Sequence, residues 1–521
     1  MKGAIAAGHP LTAAAGAQVL AEGGNAVDAC IAAGFASWVA ESPLTGPGAG
    51  GFMLVHRARD GSSRLLDFFV TVPGLDRNGR EAAEMESVDV EFTPESSQLF
   101  RIGAASCAVP GALAGLEAAH RSFGSCPWQA LVEPAIELAR EGIELTRAQA
   151  YMHAILDPIL RHTAEGRAMY GPAGARLVDG DRFALPDLAA TLDRIARRGA
   201  EDFYRGELGE AIVAHLERSG GLITRADLTR YRVIRRRPVV VQFGSHRFES
   251  NPPPSTGGVL IGYGLALLDR LGRVPRAGSA EAMAQLVEIM REQSRVRGGP
   301  FVRELYRGGL ARRLYDESTL SEGLGRIRSG AQPLAEPVGA RGTTHISVVD
   351  GWGNAASLTA STGAGSGVIV PGTGIQLNNM LGEFDLSVTG GIPRPGLRLT
   401  SMMAPSVVLR EGLPRLVVGS AGSLRLRGAI LQIVVNTIIH GQPVAEAISG
   451  PRIHLEEPYV HCEGGSDTAE VKRLRELGYD IVAWRRRNLY FGGAAAVERR
   501  EDGTLFAAGD PRRGGRGVVV E

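Results

Sequence analysis

The chain changes texture along its length. Near the start, "LTAAAGAQVLAEGG" (11–24) has small apolar residues at helical spacing and stops at Gly23-Gly24, which predicts a helix ended by glycine. Asn25 is placed to cap a second helix, "AVDACIAAGFASWVAE" (26–41), so the two should form a helical hairpin. A glycine turn then feeds a strand in "TGPGAGGFMLVHRA", and "SRLLDFFVTVPG" reads as its paired neighbour. From about Gly111 to Gly325 the pattern is mostly helical, with apolar positions three and four apart in "GALAGLEAAHRSFG", "ALVEPAIELAREG" and "LGEAIVAHLERSGG". "SNPPPSTGGVLIGYGLALLDRLG" predicts a proline turn, two glycines and a helix. "RIRSGAQPLAEPVGARG" (326–342) has no period and reads as an exposed linker. After Thr343 strands dominate: "THISVVD", "GNAASLTAS", "GVIVPGTGIQLNN" and "SVVLREGLPRLVVGSAG". One helix, "LRGAILQIVVNTIIHG", and the segment "PVAEAISGPRIHLE" follow. The chain is helix-rich first and strand-rich second with strands at both ends, a pattern expected of sheets held between helical layers and shared by both halves.

Composition narrows the function. The 521 residues are 44% apolar, enough for a full core, and the net charge is +1. A nucleic-acid binder would carry a basic excess that this chain lacks. Lys2 and Lys472 are the only lysines, which we read as the codon bias of a GC-rich genome. Cys30, Cys107, Cys126 and Cys462 lie far apart without CxxC spacing, so they offer neither a zinc site nor a disulfide framework, and buried thiols are expected. No metal or cofactor is expected. "MKGAIAAGHPLTAAAG" has one lysine and a weak apolar run broken by His9 and Pro10, a poor signal peptide. No stretch reaches the roughly 18 apolar residues of a membrane span. The expectation is a cytoplasmic protein without a membrane or nucleic-acid partner.

The candidate chemistry sits in "RGTTHISVVDGWGNAASLTAS", Arg341 to Ser361. A threonine hydroxyl needs a base to become a nucleophile. When the threonine is the first residue of a chain, its own α-amine serves. An internal threonine has an amide there, so the chemistry requires the preceding peptide bond to break. A linker ending in Gly342 is a sensible place for such a cut. On spacing alone, Thr343 and Thr344 read first as ordinary β-formers opening a strand.

The motif closely resembles the processing site of the γ-glutamyltransferase family, in which Thr-Thr-His precedes Ser-Val-Val-Asp and Gly-Asn-Ala. The resemblance extends over nearly the whole chain. "EGGNAVDA" (Glu22–Ala29), "GAGGFML" (Gly48–Leu54), "AIELAREG", "DFYRG", "GGLITRADLTRY", "PPPSTGG", "LNN", "SMMAPS", "GSAG" and "DPR" (Asp510–Arg512) fall in the family's order. It implies an N-terminal-nucleophile hydrolase of α+β class: an αββα sandwich, two stacked and mainly antiparallel sheets between helical layers. It further implies self-cleavage between Gly342 and Thr343 into residues 1–342 and 343–521, which stay together in one compact domain as a heterodimer, or as a dimer of such heterodimers.

The same resemblance assigns roles. Thr343 is implied as nucleophile and, through its new α-amine, as general base. Ser361 stands at the family's second hydroxyl, which bonds the nucleophile. Gly422 and Ser423 match two glycines whose backbone N–H groups hold the oxyanion. The substrate clamp departs from the family pattern. Phe69 in "LDFFVTVPG" replaces an arginine that grips the glutamyl α-carboxylate. Met380 replaces a polar residue in "LNNMLGEF", and Glu383 replaces the aspartate that takes the α-amine. Gly363 replaces an asparagine. Ser401 survives from a serine pair whose other member is Met402. Phe69, Met380 and Met402 are expected to make the pocket apolar, and Arg398 and Arg425 are the nearby guanidinium groups that could compensate.

The implied activity is therefore a self-processing threonine hydrolase or acyltransferase. It would form an acyl-enzyme at Thr343 from a small molecule with an amide or activated acyl group, in a pocket that no longer prefers γ-glutamyl groups. Three alternatives stand beside it. Some family members of actinobacterial secondary metabolism also lack the clamp and cleave a carbon–carbon bond in 4-alkylproline pathways. An ordinary glutathione-degrading transferase is another, and an inactive homologue acting as a binding protein the third.

Overall fold

The computed structural model describes residues 1–77, 79, 81–93, 96–329, 342–383 and 394–521. The N-terminal hairpin forms as its pattern predicts. His9 caps Pro10–Ala21 (α1), its Nδ1 accepting the Leu11 N–H at 3.2 Å. Asn25 and Asp28 form a reciprocal capping box at the start of Ala26–Ala40 (α2). All residues of α2 are buried, so its nearly unbroken apolar sequence serves a helix covered on every side.

Two sheets stack against each other. In chain order their strands are Gly3–Ala7 (β1), Gly50–Arg57 (β2), Ser62–Phe68 (β3), Ile234–Arg236 (β4), Val239–Phe243 (β5), His246–Ser250 (β6), Gly342–Asp350 (β7), Ala355–Gly363 (β8), Ser406–Arg410 (β9), Leu413–Ala421 (β10), Gly493–Arg499 (β11), Leu505–Gly509 (β12) and Arg516–Val520 (β13). The seven-stranded sheet runs β13-β1-β7-β8-β2-β3-β4 and the six-stranded sheet β12-β11-β10-β9-β6-β5. Neighbours in both are antiparallel. Alternate residues of the first sheet face opposite layers, as a period of two requires. Ile5, Met53, Val55, Ile346 and Val348 pack on α1, α2, Ala112–Phe123 (α3) and Trp128–Glu141 (α4). Ala4, Ala6, Phe52, Leu54 and Val349 face the second sheet, whose core continues into Gly257–Leu271 (α5) and Arg425–Val434 (α6). This is the expected αββα sandwich. Among the described residues no helix is long and apolar enough to cross a membrane.

Three segments depart from the sequence reading. The region expected to be helical contains β4, β5 and β6. Val239, Val241 and Phe243 alternate inward, and a turn at Gly244, with φ +53°, closes the hairpin. That short alternation is outweighed in sequence by the helices around it. The helix over "LRGAILQIVVNTIIHG" changes to a wider π-helical turn at Val435–Ile439. The linker expected over 326–342 begins as the end of a helix, Glu317–Ser329, where Arg326 pairs with the buried Glu292 at 2.7 Å. Its span 330–341 lies outside the described residues.

Between the sheets, His345 of β7 is fully buried. Its Nδ1 lies 2.8 Å from Thr359 Oγ1 and its Nε2 2.9 Å from Ser347 Oγ, which donates to Ala495 O at 3.1 Å. The ring packs flat on Gly419 of β10, where a Cβ would come within 2.3 Å of it. Desolvation lowers the His345 pKa from 6.5 to about 3. The folded state thus holds the ring neutral while the unfolded chain takes up a proton. This contribution to stability is complete above pH 6.5 and is lost as pH falls toward 3. His9 and His153, each lowered to about 4 by burial, act with the same sign. The urea midpoint should therefore fall between pH 7 and pH 4, and fall less steeply in His345→Gln.

Candidate functional site

Thr343 lies one residue inside β7, and the strand runs straight through the Gly342–Thr343 junction. The pairing of β7 with β8 shifts here. Gly342 faces Gly363 and Thr344 faces Ala360, so Ser361 and Thr362 stand opposite the single Thr343. Such a bulge re-aims a side chain. Ser361 Oγ turns back to donate to Gly342 O, and accepts the Gly363 N–H at 2.8 Å. The sequence reading placed Ser361 on the nucleophile itself. With the peptide bond in place, the carbonyl before Thr343 takes that hydroxyl.

The other side of Thr343 is held as firmly. Arg513 Nη1 donates to Thr343 O at 3.0 Å. The Thr344 hydroxyl points the opposite way, into the helical layer, and donates to Glu41 Oε2; Thr12 Oγ1 donates to Glu41 Oε1 at 2.9 Å. Neither Glu41 nor Arg513 was singled out from the sequence. A signal for Arg513 lay in the "DPR" motif just before it. Asp510 pairs with Arg512 at 3.0 Å and with Arg452 at 2.7 Å, and Arg512 also pairs with Glu463. This buried network fixes the turn from which Arg513 reaches Thr343. Desolvation lowers Arg513 to about 10, with Glu41 and Asp510 opposing, so it stays charged at neutral pH.

The segment matched to the oxyanion donors lies nearby. Arg513 packs flat on Gly493, where a Cβ would stand 2.3 Å from its Cδ, and Gly493 pairs with Ala421, the residue before Gly422. Gly422 has φ +124° and Ser423 φ +56°. A non-glycine residue in the left-handed region costs about 1–2 kcal/mol, and such strain collects at functional sites. Ser423 thus holds a backbone conformation that glycine adopts more readily.

The residues assigned to substrate contacts fall into separate groups. Phe69 is fully buried, its ring stacked on Phe52 with centroids 5.4 Å apart, in the same core as Met380, Leu399 and Met403. Met402 belongs to a different apolar cluster. Thr256 donates its N–H to Ser401 O at 2.7 Å, its hydroxyl lies 3.1 Å from Met402 Sδ, and Met402 packs in a cluster that includes Leu260 and Leu424. Ser401 Oγ accepts the Met403 N–H at 3.0 Å. Arg398 reaches the backbone beside Phe69 but is committed there. It donates to Phe69 O, to Tyr231 OH at 2.8 Å and to Arg232 O at 2.6 Å, and it lies 3.4 Å from Asp67 Oδ1. Arg425 lies over the Tyr490 ring at 4.2 Å.

Gly363 is closely packed. A Cβ there would stand 2.1 Å from Asn379 Oδ1 and 2.9 Å from Glu383 Oε1. Asn379 and the buried Glu383 thus occupy the space that a side chain at 363 would need, and Asn379 Oδ1 accepts the Ala364 N–H at 2.9 Å. Gly363 also has φ +74°. Gly363→Ala should therefore lose about 1–3 kcal/mol of stability from overpacking, with about 1 kcal/mol more from the left-handed backbone, read by urea denaturation.

Among the described residues no group of three or more His, Cys, Asp or Glu could hold a metal ion. The family model described as Gamma-glutamyltranspeptidase matches residues 12–520. The glutathione hydrolase proenzyme of Escherichia coli (strain K12) is 31% identical, over 98% of this chain and 90% of that protein. The acylase ACY 1 proenzyme of Pseudomonas sp. (strain SE83) is 32% identical, over 100% of this chain and 94% of that protein. Among solved structures, the cephalosporin acylase from Bacillus halodurans superposes with a TM-score of 0.86 at 26% identity, covering 100% of this chain and 96% of that one.

Proposed function

Because the chain belongs to the γ-glutamyltranspeptidase family of N-terminal-nucleophile hydrolases, we propose that it cuts itself before Thr343 and then acts as an acylase on amides whose acyl arm lacks a glutamyl α-carboxylate. In the first step the Thr343 hydroxyl adds to the Gly342 carbonyl carbon. The Ser361 hydroxyl already donates to that oxygen and, with the Gly363 N–H behind it, stabilises the charge that develops there. The C–N bond breaks and the hydroxyl proton passes to the departing nitrogen, giving an ester and a free α-amine. Water then hydrolyses the ester, leaving a Gly342 carboxylate and the restored Thr343 hydroxyl.

In turnover, the α-amine takes the Thr343 hydroxyl proton as the oxygen attacks a substrate amide, and hands it to the leaving amine. The N–H groups of Gly422 and Ser423 hold the tetrahedral oxyanion. Water, or a second amine, releases the acyl group. The two fragments stay together because their strands interleave: β1 to β4 come from one side of the cut, and β7, β8 and β13 of the same sheet from the other.

The substrate reading is carried by Phe69. Its ring fills apolar core beside Phe52, and the guanidinium of Arg398 is held by Asp67, Tyr231 and two backbone carbonyls. A glutamyl α-carboxylate would lose its water there without gaining a cation, at a cost of about 2–5 kcal/mol. The acylase relative and the acylase-like fold support the same direction.

Two experiments test this. Purified wild type should run as fragments 1–342 and 343–521, and Thr343→Ala as one chain; a folded wild type that stays whole removes the nucleophile. Anilides of pentanoyl, 4-aminobutyryl, glutaryl and γ-glutamyl groups should then be compared by kcat/KM. Pentanoyl should exceed γ-glutamyl by about 30-fold or more. A γ-glutamyl value of about 10⁴ M⁻¹s⁻¹ or above, and higher than pentanoyl, would sink the substrate reading while leaving the nucleophile intact.

A further inference from the structure

Glu41 is a poor choice for the fold alone. It is the C-terminal cap of α2, where the negative end of the helix dipole disfavours an anion by about 0.3–1 kcal/mol. It is also buried, and burial raises its pKa, opposed by hydrogen bonds from Thr344 and Thr12 and by the charge of Arg513. A carboxyl group in such a place costs stability unless its oxygens are fully used. Both are: one accepts the Thr12 hydroxyl at 2.9 Å and the other the Thr344 hydroxyl. The chain makes room for it at Gly8, where a Cβ would stand 2.3 Å from Glu41 Oε2 and 3.4 Å from Thr344 Oγ1.

Thr344 follows Thr343 directly, and along a strand their side chains point to opposite faces. Holding the Thr344 hydroxyl toward α2 therefore turns the Thr343 hydroxyl toward the space between the sheets, where His345, two residues on, also points. Ser361 fixes the carbonyl before Thr343, Arg513 the carbonyl after it, and Glu41 the next side chain. We propose that Glu41 is a positioning residue for Thr343, acting through the Thr344 hydroxyl to set the rotation from which Thr343 attacks Gly342. The proposal rests on the nucleophile reading above. A misplacement of about 1 Å can cost 100-fold in rate, so loss of this tether should slow self-cleavage by about 10- to 100-fold.

The test uses the full chain, made in a cell-free pulse and followed to fragments on a denaturing gel across pH 6 to 9. Thr344→Val keeps the shape of the side chain and removes the donor; Thr344→Ser keeps the donor. Each is also placed on a Thr343→Ala background, which cannot cut, and melted to confirm equal folding. Thr344→Val should cleave about tenfold slower or more, and Thr344→Ser within a few-fold of wild type. Glu41→Gln should slow cleavage too, and the double variant with Thr344→Val should be no slower than the worse single one. If Glu41→Gln does not fold, the Val and Ser pair decides. Thr344→Val cutting at the wild-type rate, or effects of Glu41→Gln and Thr344→Val that multiply, overturns the role of Glu41 alone. A folded wild type that never cuts removes the nucleophile and this proposal with it.

Discussion

The pairing of β7 on both edges is the constraint on which the rest depends. Ala7 to Gly3 pair with Ile346 to Asp350 on one side, and Ala360 to Ala355 pair with Thr344 to Val349 on the other. The strand can neither slip nor rotate without turning His345 and Ser347 out of the polar row between the sheets and Ile346 and Val348 out of the helical layer. Thr343 inherits that rigidity. On the proposed function, a hydroxyl that must meet a carbonyl one residue away gains more from a fixed strand than from a loop, because a loop would sample many wrong rotations.

The bulge opposite Thr343 is the one local break in this regularity. It brings the Ser361 hydroxyl back along the strand to the Gly342 oxygen. Around it the polar contacts come from distant parts of the chain: Glu41 from the end of α2 and Arg513 from the turn before β13, with Gly422 and Ser423 close to Arg513 at the end of β10. The site is thus a meeting of strand and helix ends, and each contributor is anchored by elements packed elsewhere. The buried Arg512–Glu463 and Arg452–Asp510 pairs fix where Arg513 reaches.

What the sequence shows of this follows from how local the signals are. The helical hairpin of α1 and α2 is written in its caps and glycines, and β7 and β8 in alternation around a motif whose resemblance carries the fold. The hairpin of β5 and β6 was missed because five-residue alternations sit among stronger helical periods. Glu41 carries no local signal, since its meaning depends on Thr344, three hundred residues away. The grouping of Met402 with Leu424 and not with Phe69 is a matter of tertiary packing, which no spacing reveals. Gly363 shows the same limit. The glycine is plain in sequence, but that Asn379 and Glu383 fill the space beside it is a matter of packing.

The interleaving of β1 to β4 with β7, β8 and β13 has a consequence for the life of the molecule. A single chain of this topology returns from unfolding in a first-order reaction. Once cut before Thr343, the same sheet can be rebuilt only by collision of two pieces, each of which leaves gaps that only the other's strands fill. Its apparent stability then depends on concentration, as for an obligate dimer. At low concentration, unfolding of the cut form becomes a one-way event, and its persistence is set by the height of the unfolding barrier and not by the depth of the folded well.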